Sequence, residues 1–333
     1  MASIISTTLS KWLSSPSRNI TIAIIPVLLA LYRVSKKPTR PLKVSKTGER
    51  VLILGASSGV GRTMAKQYSA RGARVCVVGR RETLLLEVQS ECRNAQDAAG
   101  SRSEDIIAIP ADFTDVDDVI NIRSVLQAEW GGLDTLVVAA GVSALQPLMA
   151  VAGVEATRDN QLKDATKEGI QHTINVAAAA TRGNYVGPLL AAITFIPLLS
   201  NTSKAPAVVL VNSVASIIPA PTRTLYASTK ASSLVLYQAL SIEHPDITFT
   251  FFMPATIEGD FRASAVDSGP VRELDPNKHG LKREDVARRG IQAADNGEKA
   301  VFMPITMRYA HILYWIWPAL IERVAKKKYN FGV

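Results

Sequence analysis

Tyr226 and Lys230 stand four residues apart in the stretch AVVLVNSVASIIPAPTRTLYASTKAS, and Ser213 precedes Tyr226 by thirteen. Two side chains four apart on a helix leave the same face. A phenol titrating near about pH 10 is a poor acid-base group at neutral pH, and a neighbouring ammonium lowers that pKa by favouring phenolate. Such a pair can pass a proton to or from a substrate oxygen, while a strand-end hydroxyl hydrogen-bonds that oxygen as charge develops. Tyr-x-x-x-Lys is common by chance in helices, so its weight rests on Ser213 and on a second motif upstream.

That motif is Gly55-Ala56-Ser57-Ser58-Gly59-Val60-Gly61, which follows an apolar strand-like run and precedes a helical TMAKQYSARG. Glycines at 55, 59 and 61 let the backbone turn tightly, approach a pyrophosphate and aim helix N-terminal amides at it. The strand-before, helix-after context is what turns a weak glycine pattern into a dinucleotide site. After the second strand, where an acidic residue would accept hydrogen bonds from the adenosine ribose, the chain has Gly79-Arg80-Arg81. A carboxylate there would repel a 2′-phosphate, whereas guanidinium groups bind one, and Arg62 beside the last glycine adds another. The expected cofactor is therefore NADP(H).

These residues need a scaffold, and the chain alternates strand-length apolar runs with longer helical stretches from Val51 onward. The expected strands are VLILG (51–55), ARVCVVG (73–79), DIIAIPA (105–111), TLVVAAG (135–141), AVVLVNS (207–213) and ITFTFFMP (247–254). Apolar on both faces and separated by helix-length gaps, they predict a doubly wound parallel sheet, an α/β Rossmann fold. The catalytic domain is expected over 51–304, with extra length in an insertion at about 145–182 and a charged, Gly/Pro-containing stretch at about 258–285.

Composition narrows the partners. The 333 residues carry a formal charge of +9, but residues 1–50 hold nine Lys/Arg and one acid, and 322–333 hold four and one. The domain between them is slightly acidic, which argues against nucleic acid and for an anionic membrane surface at the two ends. Cys76 and Cys92 suggest no disulfide, and His172, His244, His279 and His311 show no metal-ligand spacing. In the expected membrane segment, 1–35, residues 20–34 read ITIAIIPVLLALYRV. That run is short for a spanning helix of about 20 residues and is interrupted by Pro26. It is followed by a basic linker, 36–50, whose Lys/Arg excess would place the catalytic domain in the cytosol. The closing segment, 305–333, crowds Tyr309, Tyr314, Trp315 and Trp317 before Arg323, Lys326, Lys327 and Lys328. It suits either a membrane interface or a helix packed on its own domain or on a partner in a homodimer.

In the order and spacing of the glycine loop, Ser213 and Tyr226-x-x-x-Lys230, residues 50–300 resemble the short-chain dehydrogenase/reductase family. The resemblance implies a catalytic asparagine, for which Asn184, twenty-nine residues before Ser213, is the match. In the family's chemistry it holds a water that links Lys230 to solvent. The resemblance also implies cofactor contacts from Asp112, from Ala140 and Gly141, from Tyr226 and Lys230 themselves, and from Pro254 and Ile257. Two departures stand out: Ala139-Ala140-Gly141 replaces the family's Asn-Asn-Ala-Gly, and Pro254-Ala255 replaces its Pro-Gly. Within the family, the N-terminal segment, Gly79-Arg80 and PATIEGDFRASAVDSG are similar to the membrane-bound 11β-hydroxysteroid dehydrogenase-like group. The implied activity is interconversion of a ketone and a secondary alcohol on a lipophilic steroid- or retinoid-like substrate, at the endoplasmic reticulum membrane. A long-chain lipid ketone reductase of the 3-keto-sphinganine type shares every motif. A non-catalytic NADP-binding membrane scaffold fits less well, since drift would be expected to break the Asn184, Ser213, Tyr226 and Lys230 set.

Overall fold

Side chains alternate faces along a strand, so runs that are apolar at every position need cover on both sides. A computed structural model, which describes residues 40–100, 106–154, 163–269, 271 and 275–331, supplies that cover. The expected membrane segment, 1–35, lies outside the described residues. In chain order the first half runs α1 (Arg40–Lys43), β1 (Arg50–Leu54), α2 (Gly59–Ala70), β2 (Arg74–Gly79), α3 (Glu82–Ala98), β3 (Ile106–Pro110), α4 (Val116–Trp130) and β4 (Thr135–Val138). Then come α5 (Leu148–Val151), α6 (Lys167–Thr181), a π-helical turn (Arg182–Val186), α7 (Gly187–Thr202), β5 (Ala207–Val211), α8 (Thr224–Glu243) and β6 (Thr248–Pro254). The chain closes through α9 (Pro276–His279), α10 (Arg283–Asp295), β7 (Ala300–Met303), α11 (Thr306–Ile316) and α12 (Pro318–Lys328).

All strand pairs are parallel, in the order β3-β2-β1-β4-β5-β6-β7. The order reverses between β1 and β4, and a crevice opens there at the carboxyl ends of the strands. In β1, Leu52 and Leu54 face one layer with Phe195 of α7 and Tyr237 of α8, while Val51 and Ile53 face the other with Met64 of α2 and Val286 of α10. Both cysteines are free and buried in these layers. The β7 strand escapes sequence reading because it is only four residues, AVFM, at the sheet edge.

Two stretches differ from expectation. Residues 40–50, expected to be part of a linker, begin with α1, and Arg40 is only 5% exposed. Its guanidinium reaches Glu49 at 2.9 Å and Thr135 Oγ1 at 2.5 Å, and donates to the Ala205 carbonyl at 3.1 Å. Arg71 pairs with Glu49 and, at 2.8 Å, with Asp295. Beside them Arg50 makes a two-pronged contact with Asp134, both bonds at 2.9 Å. A buried ion cluster thus knits the amino ends of β1, β2 and β4 to α10. The 145–182 insertion, in turn, contains α5 and the whole of α6, which runs on through the π turn into α7. Among the described residues, 167–202 is the one helix long and apolar enough to cross a membrane, yet half of it is buried inside the fold.

Candidate active site

The glycine loop links β1 to α2 at the crevice. Gly55 has φ +87°, and a Cβ there would lie 2.5 Å from the Ala140 backbone. A Cβ on Gly61 would lie 2.3 Å from the Gly55 carbonyl oxygen. Only glycine lets the β1 and β4 ends approach this closely while leaving the α2 amides open to an anion. Every residue that the sequence assigns to the cofactor lines one cleft of about 1080 Å³, which Ser213 lines as well. A narrow glycine cradle, helix amides and a large cleft shared with the Tyr-Lys pair fit a nicotinamide dinucleotide.

The three arginines are not equivalent. Arg81 donates to Ser57 Oγ and Ser58 Oγ, both at 2.9 Å, and so lies across the glycine loop. Arg80 is exposed beside it. Arg62 is held instead by Glu91 at 2.9 Å and Glu87 at 3.3 Å. Its hydrogen bond to Glu91 raises the guanidinium pKa and holds the Glu91 carboxyl below its usual range. Asp112 spends one carboxylate oxygen on Thr114, accepting from its amide at 3.0 Å and its hydroxyl at 2.8 Å.

At the other end of the cleft, Ser213 follows β5, and its Oγ accepts from the Ala215 amide at 3.1 Å. Tyr226 and Lys230 leave the first turns of α8. The Tyr226 ring is 9% exposed and meets Phe261 edge-on, with centroids 6.0 Å apart. Lys230 is buried, and its Nζ donates to the Val211 carbonyl at 3.2 Å. Burial lowers its pKa to about 8. A Cβ placed on Gly141 would lie 2.8 Å from Asn184 Oδ1 and 3.1 Å from Lys230 Nζ, so these groups converge on one point.

Asn184 does not start a helix; it sits on the π turn that joins α6 to α7 and is fully buried. The widened turn pushes its side chain inward, a recurring use of π bulges at functional sites. Its Oδ1 accepts from the Val142 amide at 2.9 Å, while Nδ2 donates to the Val142 carbonyl and to Thr229 Oγ1, each at 3.0 Å. Asn184 therefore clamps the loop after β4 to α8 from behind the cleft wall.

Three contributions lay beyond the sequence reading. Arg223 is buried, donates to Ser143 Oγ at 2.9 Å and stands 5.8 Å from the Tyr226 ring centroid. Its position immediately before α8, three residues ahead of Tyr226, was the available signal. The segment after β6 folds over the site, with Asp267 accepting from the Leu145 and Gln146 amides at 2.5 and 2.8 Å. Finally, α11 and α12 reach the cleft through Met307, Ala310, Ile321, Val324 and Ala325.

Residues 49–268 match the family model for short chain dehydrogenase. Among curated proteins, 11-beta-hydroxysteroid dehydrogenase A of Sesamum indicum is 28% identical over 295 residues, covering 85% of this chain and 76% of its own length. The 11-beta-hydroxysteroid dehydrogenase-like 4A of Arabidopsis thaliana is 27% identical over 292 residues, with 85% of both chains covered. A short chain dehydrogenase from Burkholderia cenocepacia J2315, solved with NADP, superposes with a TM-score of 0.62 at 17% identity over 85% of this chain and 99% of its own. One from Burkholderia phymatum, solved with NAD, gives 0.63 at 17% identity, over 82% and 96%. At such identities the two structures establish the fold.

Proposed function

Because the chain belongs to the short-chain dehydrogenase/reductase family and is an oxidoreductase of that family, we propose that it interconverts a ketone and a secondary alcohol on a lipophilic substrate, using NADP(H). The carrying observation is that Ser213, Tyr226 and Lys230 line the same cleft as the glycine cradle. A bound nicotinamide supplies or accepts the hydride. In the reductive direction Tyr226 protonates the carbonyl oxygen while Ser213 hydrogen-bonds it. Lys230, in its charged form, favours the phenolate of Tyr226 and so tunes its acidity. Asn184 fixes the 141–142 backbone beside Lys230 Nζ, a position suited to the water link that the family uses. Preference for NADP(H) over NAD(H) rests on Arg80 and Arg81, which line the cleft beside the glycine loop where a 2′-phosphate would meet them.

A lipophilic substrate, steroid- or retinoid-like, is supported by the names of the relatives and by the apolar side chains that α11 and α12 bring to the cleft. The apolar run at 20–34 supports attachment to a membrane, with the endoplasmic reticulum and a cytosolic catalytic domain as the proposed location. Detergent-solubilised protein should oxidise NADPH in the presence of a steroid, retinoid or long-chain ketone. Tyr226→Phe should remove that turnover and leave NADPH binding intact; a mutant as active as the parent would overturn the mechanism.

A further inference from the structure

The C-terminal helices carry apolar residues on two opposite sides. One side belongs to the domain: Met307 and Ala310 of α11 line the cleft, and His311 Nδ1 lies 3.1 Å from the Ile217 carbonyl oxygen. On the opposite side Ile305, Tyr309, Ile312 and Ile316 follow one another at helical spacing and are 56%, 66%, 50% and 74% exposed. Trp315 and Trp317, where α11 turns into α12, are 74% and 59% exposed. A helix that docks on its own domain by one face ordinarily presents polar groups on the other. A contiguous apolar stripe in that place marks a surface that another phase or partner covers.

Charge identifies the occupant. From Ile305 to Phe331 the chain carries Arg308, Arg323, Lys326, Lys327 and Lys328 against Glu322 alone. A second copy meeting this face by twofold symmetry would bring the same basic cluster against itself. An anionic lipid surface would attract that cluster, and tryptophan and tyrosine suit the headgroup layer with their apolar bodies and polar tips. We propose that α11 and α12 dock the catalytic domain on an anionic bilayer, with the Ile305–Ile316 stripe and Trp315 and Trp317 in the headgroup layer and Lys326 and Lys327 at the lipid phosphates. Docked this way, the wall of the cleft and the bilayer contact are two sides of the same helices. The docking itself does not depend on the oxidoreductase reading.

The test uses the full chain carrying Trp12→Phe, reconstituted in vesicles of brominated phosphatidylcholine with or without phosphatidylserine. Trp130, 7% exposed in the core, remains as an internal baseline. Emission from Trp315 and Trp317 should be quenched by about half with phosphatidylserine present, as expected for side chains at the acyl boundary. Changing Ile305, Tyr309, Ile312 and Ile316 together to Ser should abolish the quenching without changing the melting temperature. Lys326→Gln with Lys327→Gln should remove the extra quenching that phosphatidylserine brings, since each basic residue near such a surface strengthens binding roughly fivefold. Tryptophans left unquenched even with phosphatidylserine present, or quenching that survives the serine variant, would overturn the proposal. So would emission that ignores lipid but changes with protein concentration, the signature of a second copy on this face.

Discussion

Where the strands of the sheet begin, the buried Arg40 and the half-buried Arg71 pair with Glu49 and Asp295, cation matched by carboxylate. Where the same strands finish, Lys230 is buried against the Val211 carbonyl oxygen, and desolvation alone accounts for its lowered pKa. The first end resolves its charges in favour of the fold. The second keeps a desolvated charge on the helix that carries Tyr226, where under the proposed mechanism a cation favours the phenolate. Stability and chemistry are thus written at opposite ends of one sheet, in the same kind of residue.

The sharpest break of that contrast is at the catalytic end. Lys230→Met should lower turnover by roughly 10²–10⁴-fold, the usual worth of a positioned acid-base group, measured as ketone-dependent NADPH oxidation. At the other end Glu49→Ala should leave turnover per folded molecule unchanged, because Glu49 lies far from the cleft. It should nonetheless destabilise the fold by about 3–5 kcal/mol, read from urea unfolding, since Arg40 and Arg71 lose a buried partner.

Lys230→Met should also make the chain more stable while inactivating it. A fall in pKa from 10.5 to about 8 corresponds to about 3 kcal/mol that the fold bears while Lys230 is charged. Below about pH 8 the lysine is protonated in both folded and unfolded chains, and the whole cost is present. Between about 8 and 10.5 the unfolded chain binds the extra proton, so wild-type stability rises with pH relative to the variant. The melting-temperature advantage of Lys230→Met should accordingly be greatest at neutral pH and vanish above 10.5. A constant advantage across that range would mean that the folded and unfolded chains bind the same protons there, and so that burial does not lower the Lys230 pKa.

The smallest effects separate the arginines of the cofactor end. Arg81→Ala should raise the KM for NADPH by roughly tenfold with little change for NADH, the loss of one charge-assisted contact to a phosphate. Arg62→Ala should change either KM less than about threefold, because its guanidinium is already committed to Glu91 and Glu87 in a solvent-exposed pair.

Much of this was legible in the chain. Six strands could be read because parallel strands covered on both faces leave unbroken apolar runs, and Gly55, Gly59 and Gly61 mark a turn that few other residues can make. Ser213, Tyr226 and Lys230 were legible because strand end and helix spacing fix where they point. Arg40 was read as part of a linker since nothing local says that a basic residue near a proline will find Glu49 and Asp295 across the fold. Arg62 was assigned to the cofactor from its place beside Gly61 and does line the cleft, but its pairing with Glu91, one helix away, could not be read locally. The cleft side of α11 was invisible for the same reason, since its role comes from a segment distant in sequence, whereas Arg223 stood close enough to Tyr226 to be suspected. The N-terminal segment rests on sequence alone.

The π turn at Arg182–Val186 has a further consequence. One additional residue in a helical turn rotates everything beyond it by about 100° relative to an uninterrupted α-helix. Along 167–202 the turn therefore acts as a phase shifter: α6 buries only Val176 and Ala180, whereas α7 buries eight of its residues. Removing a single residue between 182 and 186 would conserve the composition of the helix and put its two halves out of step. Either Asn184 would swing away from Val142 or α7 would turn its apolar side from the sheet. Length, at this turn, is as strictly specified as any side chain in the cleft.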